Sequence, residues 1–265
     1  MAPLSTKMLK VLLICDPASE RGIMARRRLE DLKLEYEVSP AVFPPAEHPW
    51  SPRYDEVRRI AAYGYPMVRG EIGCFLAHRD AWRRVIEGAD DMVLVLVLED
   101  DAVLLGSDLA SIRDVASAKK TKDMVTLLYT GSRLRFRRWL PIGNMSIVRP
   151  TGAAYTTAAY MIGKNGAAKL LAESETFWCP VDEFLNLEYL HEVTLVHTYP
   201  FLASHPEEAP SLIGLRAKPK ITSVRRLVRN YYRLVRRFRD GAYRLWVLVK
   251  MGLLFTKVEK PPAAV

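Results

Sequence analysis

Seven apolar residues, Met92 to Leu98, lead without a break into Glu99-Asp100-Asp101. A continuous apolar run bounded by charge predicts a strand buried on both faces of a parallel or mixed sheet. Strand and helix patterns alternate along the rest of the chain. Lys10–Cys15, Met124–Tyr129, Tyr155–Ile162 and Val193–Thr198 read as strands. Apolar positions at helical spacing predict helices over Ile23–Leu34, Glu71–Glu87 and Asn165–Ser174. Val38–Trp50 holds four prolines and reads as a loop, and Arg133–Arg138 as a basic loop or hairpin. The alternation predicts an α/β layer architecture, a mostly parallel sheet flanked by helices.

The pattern changes from Ser223. Val224, Leu227, Val228, Tyr231, Leu234, Val235 and Phe238 form one helical stripe, and seven arginines between Arg225 and Arg239 fill the opposite sector. Gly241 is expected to interrupt the helix. Leu245–Phe255 is then apolar apart from Lys250 and Gly252, and is too short to span a bilayer. A basic amphipathic helix with a short apolar sequel fits an in-plane anchor on an anionic membrane. A helix docked on the body with a solvated basic face fits the same pattern. The predicted division is therefore a body over 1–215 and a tail over 216–265.

Charge sharpens that division. The chain carries a formal +9, but residues 216–265 hold 14 of the 39 basic side chains against two acidic ones. The body is mildly acidic, which argues against nucleic acid as its partner. Cys15, Cys74 and Cys179 are few and widely spaced, with no CxxC pair. They indicate neither a disulfide framework nor a structural zinc site, and fit a reducing cytoplasm. The first residues do not read as a signal peptide; Val11–Cys15 reads as a first buried strand.

Ligands gather at the carboxyl ends of strands in such sheets. Three carboxylates delivered there repel one another unless a cation compensates them, and hard divalent cations that carry phosphates prefer oxygen ligands. Glu99-Asp100-Asp101 therefore predicts a metal–diphosphate site, with a solvated acidic turn as the plainer possibility. Glu99 and Asp101 would face one side of an extended segment.

Four segments in series resemble glycosyltransferase family 25, the bacterial lipooligosaccharide galactosyltransferases and their relatives. They are LLICDPASERG near the start, GEIGCFLAHRDAWRRVIEG (70–88) followed by LVLEDDAVL (96–104), TAAYMIGKNGAAKLL (157–171) and PVDEFL (180–185). Together they cover about residues 10 to 215 in the family's order. Ile14, Gly22, Ala77 and Thr157 depart from its usual residues. The resemblance implies a GT-A-like (Rossmann-like) fold, a UDP-sugar donor, Mn²⁺ or Mg²⁺, and inversion at the anomeric carbon. Asp101 is the expected main metal ligand, with Glu99 or Asp100 assisting; His205 is either a further ligand or a surface-loop histidine. Asp16, Arg21, His78, Glu99 and Asp100 would contact the donor. Asp182 would be the base that takes the acceptor proton, with its neighbour Glu183 as the other candidate.

Several residues carry a second possibility. His78 lies four residues from Cys74 and from Trp82, so it could be a buried hydrogen-bonded histidine. Asp182 could cap the helix that follows it. The arginines of 133–138 could receive an anionic acceptor or simply be solvated. The expected activity is transfer of galactose from UDP-galactose to lipooligosaccharide, by an enzyme peripheral on the inner face of the bacterial inner membrane. A catalytically silent, membrane-associated nucleotide-sugar-binding or adaptor protein is the alternative. A phospho-accepting receiver fits poorly, because the strand Met124–Tyr129 ends in Thr130-Gly131 with no aspartate.

Overall fold

The computed structural model describes residues 9–88, 93–104, 106–129, 135–204 and 223–259. The elements run β1 (Lys10–Cys15), α1 (Glu20–Asp31), β2 (Tyr36–Pro40), α2 (Glu56–Tyr63), α3 (Arg69–Gly88), β3 (Val95–Glu99) and β4 (Val103–Leu104). Then follow α4 (Leu109–Ala116), β5 (Met124–Leu127), β6 (Phe136–Ile142), β7 (Met145–Pro150), β8 (Ala159–Ile162), α5 (Lys164–Glu173) and α6 (Val181–Leu185). The chain closes with α7 (Glu188–His191), β9 (Thr194–Tyr199), β10 (Ala203–Ser204) and α8 (Ser223–Lys250).

The eight-stranded sheet has the order β2-β1-β3-β8-β5-β9-β7-β6. Pairings β1–β2, β1–β3 and β5–β9 are parallel; β8 and β7 run against the other strands. Each face of the sheet carries its own core. Val95 and Val97 pack with Ile72, Phe75 and Trp82 of α3, while Leu96 and Leu98 pack with Leu29 of α1 and Ile112 of α4. That two-sided burial is why the run before the acidic triplet shows no alternation. Each large side chain buried this fully stabilises the fold by roughly 1.5–3 kcal/mol.

Helix α1 starts earlier than the apolar pattern implies, because the Ser19 hydroxyl accepts the Gly22 N–H as an N-cap. Its buried positions are Gly22, Ala25 and Leu29, whereas Ile23 and Met24 are exposed. Two elements escaped the pattern. The edge strand β2 lies partly within the proline-rich segment read as loop, and α2 is too short and polar to show a period. The basic segment becomes the start of the β6–β7 hairpin, where Arg137 donates to the Thr256 carbonyl and Arg138 pairs with Glu259 at 3.0 Å. Those two arginines hold the C-terminal segment instead of facing a ligand cleft; Arg133 lies outside the described residues.

Helix α8 continues through Gly241 without the expected interruption. It packs against α2 and α7, with Val247 buried and Arg236 and Arg244 turned inward into ion pairs with Glu183 and Asp240. Its apolar stripe faces the other way: Leu227, Tyr231, Leu234, Phe238, Leu245 and Val249 are all exposed.

Two buried histidines give the body an acid limit. Burial lowers His191 from 6.5 to about 4, and burial together with the Arg149 charge lowers His197 to about 3. Both rings fold neutral, while the unfolded chain takes up their protons near pH 6.5. Stability present above that pH is therefore lost on acidification, by roughly 1.4 kcal/mol per pH unit for each ring, until the folded value is reached. Urea midpoints are expected to fall steadily from pH 6.5 to 4.5, and less steeply in His197→Phe. Midpoints flat across that window would contradict the assignment.

Candidate functional site

Strands β1 and β3 are parallel neighbours with Ile14 opposite Glu99. Their carboxyl ends therefore deliver Asp16 and the acidic triplet side by side, the usual ligand position in such a sheet. A cleft of about 990 Å³ opens there. Asp16, Arg21, His78, Glu99, Asp100, Asp101 and Asp182 all line it, so tertiary structure brings together side chains up to 166 positions apart. Asp16 is held by its own turn, its Oδ1 accepting the Ala18 N–H at 3.0 Å. A Cβ on Gly22 would lie 2.0 Å from the Asp16 carbonyl oxygen, so the glycine lets α1 start directly against this turn. Gly73 does the same for α3, where a Cβ would lie 2.3 Å from the Val42 carbonyl oxygen. That close approach brings Val42, Phe43 and Pro44 to the cleft wall.

The acidic triplet divides at the strand end. Arg21 Nη2 donates to Asp100 Oδ1 at 2.5 Å and to Asp101 Oδ2 at 2.8 Å. Glu99 instead accepts from the Thr157 hydroxyl at 2.5 Å and lies 3.3 Å from His78 Nε2. The extended segment expected across Glu99 and Asp101 stops at Glu99, where a turn begins, the Ala102 N–H bonding the Glu99 carbonyl at 3.0 Å. Behind Glu99 stands a relay. Trp82 Nε1 donates to the Tyr160 hydroxyl at 2.9 Å, and that hydroxyl is 3.0 Å from His78 Nδ1. With its oxygen accepting from Trp82, Tyr160 gives its proton to Nδ1, which assigns the His78 proton to Nε2, toward Glu99. His78 thus orients Glu99 from a fully buried position. Of the two sequence possibilities the structure favours the hydrogen-bonded one.

Burial pushes the Glu99 carboxyl up, but the hydrogen bond from His78, with Thr157 and Arg21, brings it below its ordinary value. Asp100 is raised, by burial and by Asp101, against the pull of Arg21. Six carboxylates line the cleft (Asp16, Glu71, Glu99, Asp100, Asp101, Asp182) against the guanidinium groups of Arg21 and Arg69. An anionic diphosphate would meet repulsion there unless a cation accompanied it, so an oxygen-rich site for Mg²⁺ or Mn²⁺ fits these residues. Cys74, His78 and Glu99 also bring ligand atoms within 4.8 Å of one another. Burial and then Glu99 hold the Cys74 thiol well above its ordinary value. A neutral thiol is a poor ligand, and with His78 and Glu99 already bonded to each other the trio reads as a hydrogen-bonded support.

The two acidic candidates on α6 point into different cavities. Asp182 lines the 990 Å³ cleft, and its Oδ1 accepts the Glu183 N–H at 2.8 Å. Glu183 lines a second pocket of about 660 Å³. There it accepts from the Tyr63 hydroxyl and from Arg236 Nη1, both at 2.5 Å. The fold does not bring Glu183 to the cleft. His205 lies outside the described residues. Sequence reasoning missed Thr157 and Tyr160 as Glu99's support. In the sequence Thr157 stands out only as a departure from the family pattern, and Tyr160 carries no signal beyond its place in a predicted strand.

A model of glycosyltransferase family 25 (LPS biosynthesis protein) matches residues 13–185. Procollagen galactosyltransferase 1-A of Xenopus laevis is 30% identical over 183 residues, 64% of this chain and 29% of that protein. A glycosyltransferase 25 family member of Drosophila melanogaster is 30% identical over 179 residues, again 64% and 29%. The human inactive glycosyltransferase 25 family member 3 is 32% identical over 133 residues, 48% of this chain and 21% of that protein. The chain thus spans less than a third of the length of these relatives.

Proposed function

The chain belongs to glycosyltransferase family 25, and from that premise we propose that it moves galactose from UDP-galactose to a lipooligosaccharide acceptor, with inversion and with Mn²⁺ or Mg²⁺. The acidic cleft at the ends of β1 and β3 carries this reading. Asp101 would be the main ligand of that cation, assisted by Asp100 or by Glu99, which His78 and Thr157 keep ionised. Held there, a divalent ion would supply the positive charge that offsets the leaving diphosphate. Arg21, already paired with Asp100 and Asp101, would pair with the same phosphates. Asp182 takes the proton from the acceptor hydroxyl as that oxygen bonds the anomeric carbon on the face opposite departing UDP. Release of UDP from UDP-galactose, set against other UDP-sugars with and without Mn²⁺, tests the proposal. Asp101→Asn is expected to turn over about 10²-fold more slowly. No release from any UDP-sugar would favour the silent adaptor, a fate that the human relative's name illustrates.

Helix α8 supports a membrane-surface location. Leu234 and Phe238 are 68% and 78% exposed, in the stripe that α8 turns away from the body. Among the described residues no helix is long and apolar enough to cross a membrane. The helix would lie in the interface with its apolar stripe in the acyl boundary and its arginines on anionic headgroups, in keeping with peripheral attachment at the cytoplasmic face of a bacterial inner membrane. In flotation with vesicles rich in anionic lipid, Leu234→Gln with Phe238→Gln should lower the bound fraction about tenfold or more, given roughly 1.5–3 kcal/mol per buried side chain. Unchanged flotation would remove the anchor.

A further inference from the structure

The second pocket, about 660 Å³, lies between α2, α6 and α8. Tyr155 lines both it and the acidic cleft, and Asp182 and Glu183, adjacent in sequence, divide between the two. The pocket therefore begins where the proposed base stands. Its walls differ sharply from those of the cleft. Tyr63, Tyr155, Trp178, Tyr189, Tyr231 and Tyr232 supply aromatic faces. Six arginines face two carboxylates, Glu183 and Asp240. Arg236 and Arg244 already pair with those two. Among the described residues no carboxylate pairs with Arg58, Arg233, Arg237 or Arg239. The Arg58 guanidinium carbon lies 4.5 Å from the centroid of the Trp178 ring. Beneath the pocket Arg59 is 1% exposed, 3.8 Å from Glu183, with Nε and Nη1 making no hydrogen bond.

Aromatic faces suit the apolar faces of sugar rings, and a fork of unpaired guanidinium groups suits phosphate or carboxylate oxygens. The volume is that of a small-ligand site. We propose that this pocket is an acceptor subsite, formed in part by α8, that holds an acidic sugar ring of the acceptor while its neutral neighbour presents a hydroxyl to Asp182. The site excludes cationic acceptors by charge. It also ties acceptor binding to the helix that carries the exposed apolar stripe, so that a lipid-linked glycan would meet the pocket at the surface on which α8 lies. The inference rests on the proposed transferase activity for its meaning but not for its test.

The test is calorimetric binding without donor. The probes are a soluble deacylated oligosaccharide bearing phosphate, the same oligosaccharide after phosphatase treatment, and glycerol phosphate as a headgroup fragment. The full chain is expected to bind the phosphorylated oligosaccharide at least tenfold more tightly than either other probe. Arg58→Gln and Arg233→Gln, both at exposed positions, should each remove most of that preference while thermal unfolding stays unchanged. Equal binding of the phosphorylated and treated oligosaccharides would overturn the anionic subsite. Glycerol phosphate binding as tightly as the phosphorylated oligosaccharide would make the pocket a headgroup site and overturn it equally. Selective binding in a protein that releases no UDP would sink the transferase and leave the pocket standing.

Discussion

Asp182→Asn is expected to lower kcat by roughly 10²- to 10⁴-fold, the usual contribution of a positioned general base. The amide keeps the shape and can still accept the Glu183 N–H, so α6 should hold its place. It cannot take a proton. The donor KM should therefore stay near that of the parent protein, and the pH dependence of kcat should lose its acid limb. Glu183→Gln separates the neighbours. Glu183 lies in the second pocket, bonded to Tyr63 and Arg236, so its loss should disturb the seating of α8 and the acceptor KM more than the chemical step. Asp182→Asn at full kcat, with Glu183→Gln abolished, would reverse the two roles.

Glu188→Ala is expected to destabilise the protein by about 3–5 kcal/mol, the cost of leaving one partner of a buried pair uncompensated. Arg149 on β7 and Glu188 on α7 are each 1% exposed. They meet through two parallel bonds, Nη1–Oε1 at 2.7 Å and Nη2–Oε2 at 3.0 Å, and Arg149 also donates to the Leu195 carbonyl. Burial raises the Glu188 carboxyl despite Arg149's opposing charge, so desolvation is the dominant effect at this pair. Replacing both residues by Met removes both charges and should recover much of the loss. Urea denaturation of the two variants checks this. A single variant as stable as the parent would mean that water reaches Arg149.

The pair was invisible in the sequence. Nothing in the pattern around Arg149 or Glu188 marks either as buried, and they join across the end of the sheet only once β7, β9 and α7 are assembled. The same limit governed the site. Asp16, Arg21, His78, the acidic triplet and Asp182 were legible because each sits at a strand end, on a helix face or in a family segment. Their partners were not. The support of Glu99 by Thr157 comes from the segment before β8, far along the chain, and Glu183 could be told from Asp182 only by seeing which cavity each enters. Arg137 and Arg138 could face an anionic acceptor or solvent on the sequence alone, and β6 places them on the C-terminal segment.

Local chemistry in the sequence by itself determined that a two-sided buried strand ends in carboxylates, that helices cover the sheet, and that a basic amphipathic helix begins at Ser223. Hydrophobic period and charge are properties of neighbouring residues, so they survive in one dimension. Only the tertiary structure decided that this helix turns its paired arginines inward and its leucines and phenylalanine outward, and that β2 and α2 exist at all. Those outcomes depend on what lies opposite each face. A period records that a face is distinct, but the packing partner, brought in from elsewhere in the chain, sets whether that face meets protein or solvent.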